Sequence, residues 1–190
     1  MSTFFTADLH LFDIDITKYR GFEIREYVEM ITRNWNNAVG PTDWVYILGD
    51  ISNGTDEVNA PTAVHWIQEH LNGYKILIPG NHDTFEMCQL FRMDPKCDVR
   101  MPGQIIELSN GKNIILTHYP VHSDELKFFD GNIHGHVHSP IPEIDYIPNQ
   151  WPNVTRNFGS PGGLCYFNAN IEFHNWTPVP MSSVEYWYKD

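Results

Sequence analysis

Short runs of apolar, β-prone residues recur along the chain, each leading into polar ones: Thr3 to Ala7, Trp44 to Leu48, Tyr74 to Ile78 and Ile114 to Thr117. Such runs read as buried strands that deliver polar residues at their ends. Between the first three lie two segments with helical periodicity, Glu23 to Val39 and Val58 to Leu71. In the first, Ile24, Val28, Ile31, Trp35 and Val39 form one apolar stripe with a 3.6-residue period. Alternating strands and helices predict an α/β arrangement with parallel strands joined by right-handed crossovers. From Gly103 onward the pattern changes. Gln104 to Leu108, Asn113 to Thr117 and Asn170 to Phe173 read as strands without long helices between them, and Ser109-Asn110-Gly111-Lys112 marks a hairpin. The expectation is a mixed sheet or two packed sheets. Pro140, Pro142, Pro148, Pro152 and Pro161 make residues 139 to 163 a long loop, because proline removes the amide donors that a central strand or a helix needs.

A length of 190 residues predicts one domain, and a formal charge of −12 argues against a basic groove that follows a long nucleic acid. A small substrate fits better. The first ten residues, MSTFFTADLH, carry no leader pattern, and the chain has no apolar run long enough to span a membrane. The expected location is therefore cytoplasmic. Cys88, Cys97 and Cys165 are odd in number and widely spaced, so they read as reduced thiols rather than as a disulfide framework or a zinc site. Ten histidines in an acidic chain raise the question of bound cations.

The chemistry lies directly after the strands. Asp8-Leu9-His10 follows the first run, Gly49-Asp50 the second, Gly80-Asn81-His82-Asp83 the third and Thr117-His118-Tyr119-Pro120 the fourth; Gly135-His136-Val137-His138 comes last. In extended chain, residues i and i+2 face the same way, so Asp8 with His10, and His136 with His138, can each grip one ion. Ligands of open α/β sheets bind beyond the carboxyl ends of the strands, so the five blocks should converge on one crevice. Asp8, His10, Asp50, Asn81, His118, His136 and His138 would then supply seven oxygen and nitrogen donors and no sulfur. That is too many for one tetrahedral zinc, and it suits two divalent ions such as manganese, iron, zinc or nickel. Asp50, with two carboxylate oxygens, is the natural bridge. Two ions about 3.5 to 4 Å apart clamp the attacking and leaving oxygens of a phosphoryl displacement.

The ordered blocks DLH, GD, GNHD, THYP and GHVH resemble the calcineurin-like metallophosphoesterases, in particular the small single-domain members of bacteria and phages. The resemblance spans Asp8 to His138 and continues weakly through Asn168 to Val179. It implies a two-sheet sandwich flanked by helices, in four layers. It also implies that Asp8, His10, Asp50 and His138 hold one metal, and Asp50, Asn81, His118 and His136 the other. His82 is then left as a proton donor or charge-stabilising group, with Asp83 orienting its imidazole. The implied activity is hydrolysis of a small, nucleotide-like phosphodiester by a metal-activated hydroxide. The alternatives are a small phosphomonoester substrate, or a catalytically silent metal-binding interaction module.

Departures from the family pattern narrow this reading. The protein phosphatases of the superfamily carry GDxxDRG and GNHE, whereas this chain has Gly49 to Gly54 (GDISNG) and GNHD. Their phosphate-binding arginine is missing, which speaks against a phosphoprotein substrate. Small members often read DTHFGH after the first strand, and this chain has Asp13 in place of the second histidine. Lys18, Arg20 and His122 are candidates to meet the substrate. His65, His70 and His174 read as packing or solvent residues, and Tyr146 and Trp151 in the proline-rich loop as loop packing, with stacking on a base as the alternative.

Overall fold

The computed structural model describes residues 1–138 and 166–188. Among these residues, nine strands form two sheets. The first contains β1 (Thr3–Thr6), β2 (Trp44–Ile47), β3 (Tyr74–Leu77), β4 (Cys97–Val99) and β9 (Val179–Pro180), in the order β4-β3-β2-β1-β9. Strands β1 to β4 are parallel, and β9 adds an antiparallel edge. The second sheet contains β5 (Gln104–Glu107), β6 (Asn113–Leu116), β7 (Gly131–His134) and β8 (Tyr166–Asn168), in that order. Here β5 and β6 form the expected antiparallel hairpin, with Glu107 opposite Asn113, and β7 and β8 continue in parallel. The expected α/β architecture, two sheets flanked by helices, is the one observed.

Alternation along β1 shows how the layers are built. Phe4 and Phe5 point to opposite faces of the sheet, and each belongs to a different core. On the outer side, Phe4, Val45, Ile47 and Leu77 meet helices α2 (Ile24–Ala38) and α3 (Asn59–His70). The predicted stripe of α2 supplies Val28, Ile31 and Trp35 to this core. Between the sheets, Phe5, Ala7, Leu48 and Ile78 pack against Ile114, Leu116, Ile133 and Phe167. The far face of the second sheet buries Ile115 and Tyr166 under Leu126 of the short helix α5 (Ser123–Leu126).

The strand reading of Asn170 to Phe173 is corrected. Ile171–Phe173 is a 3₁₀ turn whose entry is capped by the Asn170 side chain, and the strand lies earlier, in β8. An Asn side chain that accepts a nearby backbone amide competes with ladder hydrogen bonds, so Asn168 and Asn170 end the strand. The sequence pattern also passes over helices α1 (Ile14–Tyr19), α4 (Phe85–Phe91) and α6 (Met181–Trp187), each too short for a clear periodicity. Residues 139 to 163, with Tyr146, Trp151 and Pro140, and Cys165 lie outside the described residues. Among the described residues, no helix is long and apolar enough to cross a membrane.

Trp35 is fully buried, and its indole N–H donates to the Asn72 carbonyl at 3.0 Å, tying α2 to the turn before β3. Trp35→Ala should cost about 3–5 kcal/mol of unfolding free energy, because it leaves a large cavity and an unpaired carbonyl. Urea denaturation measures this; a loss below about 1 kcal/mol would show that the outer core closes around the gap.

Candidate metal centre

All five polar blocks meet at the carboxyl ends of β1, β2, β3, β6 and β7. The backbone brings them there in a relay. The Asp8 amide donates to Gly49 O at 3.0 Å, the His10 amide to Asp50 O at 3.0 Å, and the Gly135 amide to His118 O at 3.0 Å. Two triads of donor atoms result, Asp8 with His10 and His138, and Asp50 with His118 and His136, each with its atoms within 4.8 Å of one another. Asp50 faces both. Its Oδ2 lies 3.8 Å from His10 Nε2 and 3.3 Å from His118 Nε2. Asn81 joins the second triad, with its side-chain oxygen 2.9 Å from His118 Nε2.

The local backbone is strained where the ligands sit. Asp8 (φ 57), His10 (φ 43), Asp50 (φ 57) and His136 (φ 67) all occupy the left-handed region, which costs a non-glycine residue of order 1–3 kcal/mol. Among the described residues, five of the seven non-glycine residues with positive φ lie in the Asp8–Phe12 and Asp50 loops or at His136, so the strain is concentrated at the candidate ligands. Gly80 has a related role. A Cβ there would collide with the Asp50 carboxylate and lie 2.8 Å from the His118 ring, so only glycine allows the Asn81 loop to approach.

Three imidazoles are oriented by a partner on Nδ1 that leaves Nε2 turned inward. His10 Nδ1 meets Asp13 Oδ2 at 3.3 Å, His118 Nδ1 meets the Leu48 carbonyl at 2.8 Å, and His138 Nδ1 meets Glu172 Oε1 at 2.7 Å. Partners of this kind fix the tautomer and ring plane of metal-binding histidines. The other oxygen of Asp13, Oδ1, accepts from the Asp15 and Ile16 amides and so caps α1. His10 Nε2 is buried and has no hydrogen-bond partner. An unsatisfied buried nitrogen that faces a carboxylate, inside a set of oxygen and nitrogen donors, fits a divalent cation.

The charges point the same way. Burial raises the Asp8 pKa to about 7, only partly offset by His118 and His138. Burial also works against charging His118, but its hydrogen bond and charge interaction with Asp50 outweigh this and raise it to about 9. Asp50 itself is held down at about 2, since His118 overcomes the effect of burial. Burial and the neighbouring His118 lower His136 to about 4, so it is neutral and ready to donate a lone pair.

Several expected roles change. Arg20 does not face the crevice: its side chain is 1% exposed and makes an ion pair of 2.6 Å with Glu172, while also donating to the Asp8 and Leu9 carbonyls and to the Tyr27 hydroxyl. It is committed to the underside of the site and has no free donor for a substrate phosphate. Asp83 does not orient His82. Its carboxylate accepts from the amides of Asp50 (2.7 Å), Ile51 (3.0 Å) and Gly80 (2.8 Å), and so clasps the second and third loops together. His122 caps α5, with Nδ1 accepting from the Asp124 amide. No described hydrogen bond or ion pair joins it to the seven converging donors. Lys18 is exposed. His134 is buried, with Nδ1 on the Gly135 carbonyl, and burial lowers its pKa to about 4. Burial likewise raises the Cys88 and Cys97 thiols to about 11, in keeping with unreactive packing.

Glu172 is not legible in the sequence as a site residue. It arrives 34 positions after His138, on a 3₁₀ turn, and no spacing rule connects the two. Asp13 does carry a signal, since an Asp at the start of a helical segment is an N-cap pattern, but nothing in that pattern announces its second bond, to His10.

A family model described as calcineurin-like phosphoesterase matches residues 1–140 of the chain. An uncharacterized protein of Methanocaldococcus jannaschii is 30% identical over 182 residues, covering 94% of this chain and 86% of its own length. The Gene 66 protein of Mycobacterium phage L5 is 29% identical over 166 residues, covering 74% of this chain and 79% of its own. The crystal structure of a protein of unknown function from Aquifex aeolicus aligns with a TM-score of 0.69 at 24% identity, over 97% of this chain and 98% of that one. At that identity the likeness concerns the fold.

The support of His138 by Glu172 can be tested directly. Glu172→Gln should weaken divalent metal binding by about 10- to 100-fold, measured by competition with a chromophoric chelator, because His138 loses its carboxylate partner. Unchanged affinity would show that Glu172 serves the fold alone. Proton release offers a second test. The Asp8 and His118 pKa values are both raised, so the metal-free fold holds protons that ligation must displace. Metal affinity should therefore increase as the pH rises from about 7 to 9, with about one proton released per binding event near pH 7.5. Calorimetry in buffers of different ionisation enthalpy reads the release directly; heats that are independent of buffer would contradict it.

Proposed function

The chain belongs to the calcineurin-like phosphoesterase family, and on that premise we propose that it is a dinuclear metal-dependent phosphodiesterase acting on a small, nucleotide-like ester. One observation carries this reading above the others: a single buried carboxylate, Asp50, turns one oxygen toward histidines of both triads. Asp8, His10, Asp50 and His138 would hold one ion, and Asp50, Asn81, His118 and His136 the other. Two divalent ions there would supply Lewis acidity and lower the pKa of water to generate a nucleophile near neutral pH.

The remaining work falls to the protein. The Arg20–Glu172 pair and Asp13 hold His138 and His10 in place, so their nitrogens need no reorganisation as charge develops. His82 lies beside the crevice, with its ring 5.3 Å from that of His10 and its amide donating to Asp50 Oδ1 at 2.9 Å. No described hydrogen bond engages its ring nitrogens, which leaves them for the leaving oxygen of the substrate. His82 is the proposed proton donor.

The preference for a diester rests on charge. A phosphomonoester brings up to two negative charges and a diester one, and among the described residues no lysine or arginine lines either cleft beside the loops of the site. Arg20, the nearest cation below the ligands, is already paired. The net charge of −12 disfavours a long nucleic acid for the same reason. The metals, whether manganese, iron, zinc or nickel, are equally compatible with an oxygen and nitrogen donor set.

Reconstitution with each of these metals, followed by assay on paired synthetic mono- and diesters, tests the reading. Faster turnover of the diester is expected; inactivity on both classes with every metal would leave a metal-binding module instead. His82→Ala should lower kcat by about 10²- to 10⁴-fold while metal content stays at the wild-type level. The separation is clean because His82 contacts Asp50 through its backbone amide, which alanine retains. Loss of both metals in the variant would place His82 among the ligands.

A further inference from the structure

Among the described residues, two clefts adjoin the loops that carry the metal centre, and they differ in chemistry. One, beyond the His82 loop, is bounded by Asp56, Glu57 and Glu86 and touches none of the seven donors. The other, with a volume of about 330 Å³, is bounded by Asn81 and His118 themselves. From these two it extends between Pro79, Pro102, Pro120 and Val121, with Tyr119 and Glu125 also in its lining. It is thus continuous with the second triad, and anything bonded to a phosphate held there reaches it without crossing the protein.

Its walls are apolar and fixed. Three prolines have locked φ angles. The Val121 amide donates to Asn132 at 3.0 Å, and its carbonyl accepts from the Tyr166 hydroxyl at 2.9 Å, so this side of the pocket is anchored to the second sheet. Tyr119 stands at the boundary. Its ring packs against His136 at 4.3 Å and His118 at 5.1 Å between centroids, yet the residue is 46% exposed. An exposed aromatic side chain, braced by two imidazoles and set among prolines, suits the face of a flat ring better than a flexible chain or a sugar. Among the described residues, Glu125 is the one ionisable group in the lining besides His118 and Tyr119. A carboxylate there repels a second phosphate and accepts hydrogen bonds from ring N–H or amino groups.

We propose that this pocket receives the nucleobase of the substrate, with Tyr119 as the stacking residue that sets specificity; the assignment rests on the phosphoesterase reading and adds the substituent to it. The cleft lined by Asp56, Glu57 and Glu86 takes no part. Stacking of a base on an aromatic side chain is strong enough to change affinity about tenfold or more.

The test measures binding to the metal-loaded protein by calorimetry. The probes are the methylphosphinate analogues of the methyl esters of AMP and of ribose 5-phosphate, which share a singly charged, diester-like group and a sugar and, with two P–C bonds, resist hydrolysis. The adenine analogue should bind at least about tenfold tighter than the base-free one. Tyr119→Ala should remove most of that advantage and Tyr119→Phe should keep it, while metal content remains at two ions in both. Pro102→Trp, which fills the pocket from another lining position, should remove the advantage independently. Equal affinities in the wild-type protein, or an advantage that survives both Tyr119→Ala and Pro102→Trp, would overturn the assignment. If the base-free analogue fails to bind at all, the phosphoesterase reading itself fails; if it binds and adenine adds nothing, only the pocket is wrongly assigned.

Discussion

The structure turns on the cost of burying the Asp50 carboxylate. Asp50 is 2% exposed and stays ionised because positive or polarised groups surround it. Its Oδ1 accepts the His82 amide, its Oδ2 faces two imidazoles, and its own amide is held by Asp83. An isolated carboxylate taken out of water would protonate or destabilise the fold by several kcal/mol. Each loop of the site can be understood as meeting that constraint. Gly49 and Gly80 bring the backbone close, Asp83 clasps the two loops together, and the left-handed φ at Asp50 aims its side chain into the crevice. The backbone strain is supportable because two packed sheets fix the strand ends from which these loops depart.

The two triads are not supported in the same way. His10 and His138 of the first are each backed by a carboxylate, from Asp13 and Glu172, whereas His118 of the second is backed by a peptide carbonyl. A carboxylate partner raises the basicity of an imidazole more than a neutral carbonyl does. The Arg20 guanidinium tempers the effect by pairing with Glu172 and by binding the carbonyls of Asp8 and Leu9. Arg20 thus connects the first loop, α2 through Tyr27, and the 3₁₀ turn beneath a single ligand set. Its value to the site comes from withdrawal from the surface, the opposite of the substrate contact that its sequence position invites.

What can be seen in the sequence divides along the range of the interactions involved. Strands β1, β2, β3, β5 and β6, and helices α2 and α3, announce themselves because burial imposes a local period of 2 or 3.6 residues. The seven donors are legible for a related reason: each follows a strand or a glycine turn within a few residues, and parallel strands must send their ends to one side. Glu172 obeys no such rule. It reaches His138 across 34 residues, through the pairing of β7 with β8 and a turn that the Asn170 side chain fixes. Asp83 misleads in a different way. Its place beside His82 suggests a pair, but three backbone amides lie closer to its carboxylate and satisfy it first. Arg20 and His122 mislead likewise, because a long or capping side chain chooses among partners that only the folded chain supplies.

The acidity of the chain acquires a meaning at the site that it lacks in the composition. With Asp8 and Asp50 buried side by side, the crevice without cations is hostile to a second anion, and Asp8 responds by holding its proton up to about pH 7. A phosphate ester presented to these residues alone would meet a carboxylate at each triad. Two divalent ions would reverse the local sign and displace the proton, so the same residues that exclude phosphate from the bare site would attract it to the loaded one. Outside the crevice the surface remains acidic, which penalises every additional phosphate that a substrate carries. The overall charge therefore limits the size and charge of the ester, and the buried carboxylates make its binding conditional on the cations.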